Sequence, residues 1–565
     1  MNNSGLTTKY AEKMNRACPH SYYPRPSMVR ESYLSLNGEW EFGIGKSREV
    51  GECTEKILVP FPPESPLSGI ERIIAPDEYM YYKKRIALPE GFVKDRLMLN
   101  FGAVDQEAWV YVNGSLAGEN KGGYLPFSFD ITELISEGEI EITVVCRDAL
   151  DIKYPYGKQT HKRGGMWYTP VSGIWQSVWL ESLPKEHICQ LKFTQIEGGV
   201  HLDVVGGASH KAVEMSDGTK LEFDGEGVDI LPENPRLWSP ESPHLYDVTV
   251  TAGEDSVRSY FAIRTVDVRN IDGVERICLN GKPYVFNGLL DQGYYPDGLF
   301  LPATEEGYLD DIRMAKSLGF NMLRKHIKIE PEIFYYLCDK EGIALFQDMV
   351  NNSRYSFIRD TALPTVGLQR LSDKHLHKNP ESRAIFEETV IGTAELLYNH
   401  PSIVYYTIFN EGWGQFSSDE MYGKLKAIDG SRIIDSTSGW FRRMRSDVDS
   451  RHIYFKALKP KRLDGRPLVI SEFGGYSYRV EGHLFGKANY GYKLFDSAES
   501  FENAVIALYQ NEVLPLVKGG ASAFVYTQVS DVEDETNGFI TYDRRVLKVN
   551  AERVKAVVGL CSGER

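Results

Sequence analysis

The stretch SIVYYTIFNE (402–411) is an aliphatic and aromatic run that ends in two polar residues, Asn410 and Glu411. Such a run predicts a buried strand. RAIFEETVIGTAELLYN (383–399), before it, has apolar positions at helical spacing, and RIIDST (432–437), after it, is another short strand candidate. Short buried strands that alternate with helices indicate a parallel α/β domain.

The same alternation extends in both directions from this stretch. Besides the two strands above, the candidates are YVFNGLL (284–290), FNMLRKH (320–326), IALFQDM (343–349), HIYF (452–455), LVISEF (468–473) and ASAFVYTQ (521–528). Helical stretches such as PEIFYYLCDKEG (331–342) lie between most of them. Eight strands in about 290 residues predict a (β/α)8 TIM barrel rather than an open sheet. We assign the barrel to residues 269–565.

The residues ahead of the barrel predict two β-sandwiches. Up to residue 182, alternating strands such as EAWVYVNG (107–114) recur with Gly, Pro, Asn and Asp between them, as is typical of a sandwich. The Asn113-Gly114 turn and the strand FSFDIT (127–132) favour a jelly-roll type for residues 1–182. The shorter strands of residues 183–268 have the size of a small immunoglobulin-like sandwich. The sequence therefore predicts a multidomain protein.

The composition limits the class of partner. The 565 residues include 64 Lys+Arg and 79 Asp+Glu, a net charge of −15, whereas nucleic acids and anionic membranes are bound by a concentrated basic face. No apolar run approaches the ~20 residues of a membrane span. Because residues 1–20 contain no apolar secretory segment either, we expect a cytoplasmic protein.

The cysteines and glycines indicate neither a metal nor a cofactor. Seven cysteines are scattered without a C-x-x-C pair, which fits neither a disulfide framework nor a zinc site. No Gly-rich phosphate loop is visible. We therefore expect a protein that uses no cofactor.

Polar residues are concentrated where the predicted barrel strands end, and barrel enzymes place their catalytic groups at those ends. These residues are Asp291, Arg324, His326, Asp348, Asn410, Glu411, Asp435, His452, Tyr454, Glu472, Gln528 and Asp531. Burying a carboxylate without a partner is costly, so two of them at neighbouring strand ends suggest a functional use.

Two glutamates stand out among these residues. Glu411 and Glu472 each close a strongly apolar strand, and glycine follows close behind each of them, which lets the loop turn away from the barrel mouth. Hydrolysis of an acetal requires such a pair: one carboxylic acid protonates the leaving oxygen while the other, ionised, attacks or stabilises the sugar carbon. The alternative is that each glutamate forms a structural ion pair, for example with Arg324.

Seven segments spread over almost the whole chain carry a resemblance to glycoside hydrolase family 2. They are LNGEWEF (36–42), VPFPPES (59–65), FGAVDQEAWVYVNG (101–114), PVSGIWQSVWLE (170–181), LWSPESPHLYDVTV (237–250), HPSIVYYTIFNEGWG (400–414) and LVISEFGG (468–475). The last two are similar to the family's two catalytic signatures. The family contains β-galactosidases, β-glucuronidases and β-mannosidases.

The resemblance implies a retaining exo-β-glycosidase that works by double displacement on a carbohydrate or glycoside. By matching position, Glu411 is the acid/base and Glu472 the nucleophile. The resemblance further implies that Asn410 binds the sugar 2-hydroxyl and that Arg324 and Tyr454 hold the nucleophile. The remaining candidates for contacts with the sugar are His326, Asp348, Trp440, His452 and Asp291, for which a structural role is the alternative. A homo-oligomer is expected by the same resemblance.

The identity of the sugar stays open because the chain departs from the family's patterns. After the first barrel strand it has Asp291-Gln292 where many relatives carry a histidine, and VYTQVSDVEDETNG (525–538) lacks their tryptophan. Its one Asn-x-Lys, Asn280-Gly281-Lys282, precedes the barrel and counts against a dedicated glucuronidase. A β-galactosidase is the first expectation and a β-glucuronidase or β-mannosidase the next. A non-catalytic carbohydrate-binding protein and a barrel enzyme with unrelated chemistry are the remaining alternatives.

Overall fold

The computed structural model describes residues 5–135, 139–365, 368–370, 372–460 and 465–564. None of the helices in these ranges combines the length and the apolar character that crossing a membrane requires.

The N-terminal part is a sandwich of antiparallel sheets. Its strands are β1 (Tyr33–Ser35), β2 (Gly38–Gly45), β3 (Glu55–Val59), β4 (Tyr79–Ala87), β5 (Arg96–Phe101), β6 (Val104–Asp105), β7 (Glu107–Val112), β8 (Ser115–Lys121), β9 (Phe127–Asp130), β10 (Glu139–Arg147), β11 (Gly173–Ile174) and β12 (Val178–Leu183). One sheet has the order β1-β12-β5-β9 and the other β3-β2-β4-β10-β7-β8. Alternate residues of β10, Ile140, Ile142 and Val144, enter the core between the sheets, as the period of two of a strand requires.

A second, smaller sandwich follows. It consists of β13 (Ile188–Ile196), β14 (Gly199–Gly206), β15 (His210–Met215), β16 (Lys220–Asp224), β17 (Gly227–Ile230), β18 (Tyr246–Ala252) and β19 (Asp255–Phe261). The strand orders are β13-β14-β17 and β16-β15-β18-β19. Leu202, Val250 and Val257 are fully buried between the two sheets.

The C-terminal part is the barrel. An antiparallel hairpin of β20 (Val266–Ile271) and β21 (Val274–Leu279) leads into it. The eight barrel strands are β22 (Lys282–Asp291), β23 (Met322–Lys325), β24 (Ala344–Asp348), β25 (Ile403–Asn410), β26 (Ile433–Ser438), β27 (Asp449–Ile453), β28 (Leu468–Gly474) and β31 (Ala523–Thr527). Three short strands, β29 (Tyr476–Tyr478), β30 (Lys493–Phe495) and β32 (Gly563–Glu564), lie outside this set.

Helices surround the barrel strands. They are α1 (Glu306–Ser317), α2 (Glu332–Glu341), α3 (Leu363–Thr365), α4 (Pro380–Leu396), α5 (Ser418–Ile428), α6 (Ala498–Leu508), α7 (Leu514–Lys518) and α8 (Ala551–Val558). Asn379 caps α4 by accepting from the backbone N–H groups of Glu381 and Ser382, as asparagine does at helix N-termini. The predicted jelly-roll, immunoglobulin-like and TIM-barrel architecture is confirmed.

The barrel is nearly closed. Parallel pairing runs in the order β26-β25-β24-β23-β22-β31-β28-β27. Among the described residues, β26 and β27 share no backbone ladder, and serine hydroxyls bridge them, with Ser438 Oγ 3.4 Å from Ser450 Oγ. The interior is packed by large side chains, including Phe346 and Tyr405, whose rings stack at 4.0 Å. Because the interior is filled, a ligand can enter only at the mouth.

Candidate active site

Glu411 follows β25 directly, where the strand leaves the barrel. Its backbone has φ 51°, a left-handed conformation that is uncommon for a residue other than glycine and that occurs in turns and at active sites. The Glu411 N–H donates to Ser438 O at 2.9 Å, which ties this conformation to the end of β26. The Glu411 side chain is 21% exposed, so its carboxylate remains accessible from the barrel mouth.

Glu472 faces Glu411 from β28, on the other side of the mouth. One carboxylate oxygen of Glu411, one of Glu472 and a ring nitrogen of His452 all lie within 4.8 Å of one another. Retaining glycosidases hold their two carboxyl groups about 5–5.5 Å apart, whereas inverting enzymes need about 6.5–9.5 Å. The closest carboxylate oxygens of Glu411 and Glu472 thus lie nearer to the shorter of these two separations.

Glu472 is held as a carboxylate by its neighbours. Arg324 Nη1 donates to Glu472 Oε1 at 3.2 Å, and the Tyr454 hydroxyl donates to Glu472 Oε2 at 2.5 Å. Burial alone would raise the pKa of Glu472, but the charges of His452, Arg324 and His326, with the Tyr454 hydrogen bond, outweigh it and hold that pKa below its ordinary value. An ionised carboxylate is the form that a nucleophile needs.

Arg324 donates hydrogen bonds to three of the other predicted site residues, Glu472, Asp348 and Asn410. Its Nε donates to both carboxylate oxygens of Asp348 at 2.9 and 3.1 Å, and its Nη2 donates to Asn410 Oδ1 at 2.9 Å. His326 Nδ1 lies 2.7 Å from Asp348 Oδ2. Burial would raise the pKa of Asp348, but Arg324 and His326 lower it overall. Asp348 therefore acts on Glu472 through Arg324 rather than by direct contact.

His452 lies between the two glutamates. Its Nδ1 is 2.7 Å from Glu411 Oε1 and 3.4 Å from Glu472 Oε2, and its Nε2 is 3.0 Å from Ser438 Oγ. The β27–β28 register shifts between Arg451 and His452, and such irregularities re-aim side chains. The Trp440 ring packs edge-on against the His452 ring at 5.6 Å.

His452 and the two glutamates are also the group in the described residues whose ligand atoms are close enough to share a metal ion. Two carboxylates and an imidazole are a donor set that divalent metals accept. Carboxylates and an imidazole at this spacing are also groups between which protons are exchanged in acid–base catalysis.

Asp291 lies apart from this constellation. Lys325 Nζ donates to its carboxylate at 2.6 Å and to Glu330 at 2.8 Å, so Asp291 is part of a buried ion-pair network. Of the other strand-end residues, Asp435 accepts from Tyr405 and Asp531 from Lys548. The prediction that Asp291 contacts a sugar has no support from these contacts.

The jelly-roll domain supplies a wall of the site, which the sequence analysis did not identify. The connection 148–172 between β10 and β11 crosses to the barrel mouth, where the Tyr156 hydroxyl donates to Ser353 O at 2.8 Å. Trp413 donates its Nε1 to the Tyr156 hydroxyl at 3.2 Å and packs edge-on against Trp167 at 4.7 Å. The length of this connection is the feature of the sequence that could have indicated it, because long loops without regular structure are usually either functional or linkers.

This connection also brings a cation, Lys158, to the mouth. Gly157 has φ 63°, and a Cβ there would lie 3.0 Å from Ile327 O, so the loop lies against the residue that follows His326. The Lys158 ammonium is 5.6 Å from the centre of the Tyr168 ring, and no described residue forms an ion pair with it. The pKa of His326 is lowered by burial and then by the charge of Lys158.

Three family models match successive parts of the chain. They describe the sugar-binding domain of the glycosyl hydrolases of family 2 (residues 69–184), a further domain of the same family (residues 194–264) and its TIM-barrel domain (residues 268–557). The chain belongs to glycoside hydrolase family 2. The barrel match alone spans more than half of the sequence.

Two curated relatives illustrate the range of proteins to which the chain is similar. A β-galactosidase of Leuconostoc mesenteroides is 26% identical over 480 residues, which cover 73% of this chain and 43% of the relative. A putative β-glucuronidase of Formosa agariphila is 25% identical over 456 residues, 70% of this chain and 50% of the relative. The chain thus spans about half the length of the curated relatives that it matches.

Solved structures from family 2 share the fold over nearly the whole chain. A β-galacturonidase of Eisenbergiella tayi, bound to galacturonate, superimposes with a TM-score of 0.72 at 19% identity and covers 97% of this chain and 100% of that one. A β-D-glucuronidase of Dictyoglomus thermophilum has a TM-score of 0.73 at 18% identity, with 94% and 98% coverage. At this identity the likeness establishes the fold.

Proposed function

We propose that this protein is a retaining exo-β-glycosidase that hydrolyses O-glycosidic bonds through a covalent glycosyl-enzyme. The observation that carries the proposal is the pair of carboxylate oxygens, from Glu411 and Glu472, within 4.8 Å of each other at the mouth of one barrel. The connection 148–172 of the jelly-roll domain walls this mouth on one side, which suits a site for a terminal sugar.

In the first step, Glu472 attacks the anomeric carbon. A bond forms between a Glu472 oxygen and that carbon while the bond to the leaving oxygen breaks, and Glu411 gives its proton to the leaving oxygen. Arg324 and Tyr454 support this step because both donate hydrogen bonds to Glu472 and favour its ionised form. Arg324 also donates a hydrogen bond to Asn410 Oδ1. The amide nitrogen of Asn410 is therefore left to donate to a sugar hydroxyl.

In the second step, Glu411 acts as a base. It takes a proton from water, the water oxygen bonds to the anomeric carbon, and the ester to Glu472 breaks. Once Glu472 is esterified it carries no charge, so the Glu411 carboxylate that takes the proton from water no longer faces a second anion. His452, 2.7 Å from Glu411 Oε1, holds this carboxylate in place for both steps.

Two classes of sugar are proposed. A β-galactoside is the first, in keeping with curated relatives that are named β-galactosidases. A β-uronide is the second, because Lys158, which forms no ion pair with a described residue, brings a cation next to His326, and a cation there suits a sugar carboxylate. Structures similar to this fold include a β-galacturonidase and β-glucuronidases, which supports the second candidate.

The test is a panel of 4-nitrophenyl glycosides that includes the β-galactoside, β-glucuronide, β-galacturonide and β-mannoside. Hydrolysis of at least one of them is expected, and proton NMR of the first product should show the β-anomer, because double displacement retains configuration. The α-anomer as first product would refute the double displacement. Sugar binding without any hydrolysis would instead indicate a carbohydrate-binding protein on this fold.

A further inference from the structure

A cleft of about 390 Å³ opens between the loops that follow β26 and β27. This is the place where serine hydroxyls bridge the two strands in the absence of a backbone ladder among the described residues. Trp440, Arg442, Arg451, Lys456 and Lys459 line it, together with His452, and we call it the cation cleft.

The charge of the cation cleft is opposite to that of the chain. Among the described residues, its lining includes four Lys and Arg side chains and no Asp or Glu, although the protein as a whole has a net charge of −15. Arg451 donates to Asp449 at 2.7 Å. Lys456 and Lys459 are exposed, and neither forms an ion pair with a described residue. Two exposed lysines beside a concave site whose described lining holds no carboxylate attract an anion.

The cation cleft adjoins the acid/base rather than the wall that carries Lys158. It opens on His452, whose Nδ1 is 2.7 Å from Glu411 Oε1. In the strand order, β26 and β27 lie opposite β22 and β23, and Lys158 lies beside the end of β23. A leaving oxygen must meet Glu411 in order to receive its proton, so the leaving group passes on the side of His452 and the cleft.

We propose that the cation cleft binds an anionic group, a carboxylate or a sulfate ester, carried by the leaving-group portion of the glycoside. Trp440 adds an aromatic surface next to His452, and aromatic surfaces pack against the apolar faces of sugar and aryl rings. This proposal rests on the proposed hydrolysis, because the leaving group is defined by the roles of Glu411 and Glu472.

The test compares aryl β-galactosides and β-glucuronides that differ only at the para position of the leaving group. One aryl group carries a carboxylate, one a sulfonate as the probe for a sulfate ester, and one the neutral methyl ester. The Lys456→Ala/Lys459→Ala variant should lose about five- to tenfold in kcat/KM on an anionic form, since two exposed ion pairs contribute up to about 1 kcal/mol each. It should change less than about twofold on the ester.

Two controls separate this effect from general electrostatics. Lys94→Ala/Lys185→Ala removes two exposed lysines of the two sandwich domains and should leave the ratio of anionic to neutral kcat/KM unchanged. In the unmodified protein, KM for an anionic form should rise as ionic strength increases from about 0.01 to about 0.15 M, because the Debye length falls from about 30 to about 8 Å. KM for the β-galactoside ester, which carries no charge, should stay constant.

Equal losses of kcat/KM on the ester and on both anionic forms would refute the proposal that the cation cleft binds an anion. So would the absence of any loss on either anionic form. A loss confined to the sulfonate or to the carboxylate identifies the anion and supports the proposal. If the unmodified protein hydrolyses none of these glycosides, the proposed function fails. Calorimetric binding of the same glycosides then tests whether the cation cleft binds an anion. Equal affinities for the anionic and ester forms would refute that proposal as well.

Discussion

Removing the Tyr454 hydroxyl should move the acid limb of the pH–activity profile to higher pH. The hydroxyl donates to Glu472 Oε2 at 2.5 Å, and the proposed reaction requires Glu472 to be ionised. The pKa of Glu472 is held below its ordinary value partly by this hydrogen bond. Tyr454→Phe removes a donor that favours the charged form, so the pKa of Glu472 rises and activity is lost at a higher pH as the solution is acidified.

The size of the shift follows from the strength of one hydrogen bond to a charged group. Such bonds contribute about 1.5–3 kcal/mol, and one pKa unit corresponds to about 1.36 kcal/mol, so complete loss would raise the pKa by about one to two units. Arg324 and His452 still contact Glu472 in the variant, and water can replace part of the lost bond. We therefore expect a shift of about one unit.

The assay is kcat/KM against pH on the best substrate of the panel, whose acid limb reports the free enzyme. Tyr492→Phe is the matched control, because the Tyr492 ring stacks on Tyr454 at 3.8 Å and no hydrogen bond joins Tyr492 to Glu472 in the described residues. The control should leave the acid limb in place. An unchanged limb in Tyr454→Phe, or equal shifts in both variants, would refute the role of the hydroxyl.

Three further substitutions test the remaining assignments. Glu472→Gln should lower kcat by at least about a thousandfold while the melting temperature stays close to that of the unmodified protein; substantial turnover in this variant would exclude Glu472 as the nucleophile. Glu411→Ala should lower kcat/KM by about 10²–10⁴ on glycosides with poor leaving groups and much less on dinitrophenyl glycosides, and equal losses on both kinds would contradict the acid role. Lys158→Met should reduce kcat/KM for a β-uronide by about tenfold or more and leave a β-galactoside nearly unaffected, whereas identical losses would point to a structural role for Lys158.

The barrel and its two glutamates could be predicted because local signals specify them. Each barrel strand is a short buried run, and β25 has seven consecutive buried residues before Asn410. A strand that is buried on both faces needs a continuous apolar run, and this requirement does not depend on which strand it pairs with. The position of a polar residue at the end of such a strand then places Glu411 and Glu472 at the mouth.

Side-chain direction at a strand end was harder to predict. Asp291 and Glu472 both end apolar strands, yet Asp291 is bound to Lys325 of the neighbouring strand and Glu472 faces the open site. The position of His452 depends on an irregular register between β27 and β28. A register shift of one residue turns a side chain to the other face of a strand. No pattern in the sequence around Arg451 and His452 indicates this shift.

By itself, the sequence determined the order of the three domains, the barrel class and the residues that could act as an acid and a nucleophile. Those features depend on periodicity and on burial, which each segment expresses locally. The tertiary structure decided the separation of Glu411 and Glu472, the place of His452 between them and the contribution of the jelly-roll connection with Tyr156 and Lys158. These are contacts between residues far apart in the chain, and they exist only once the barrel closes and the first domain packs against its mouth.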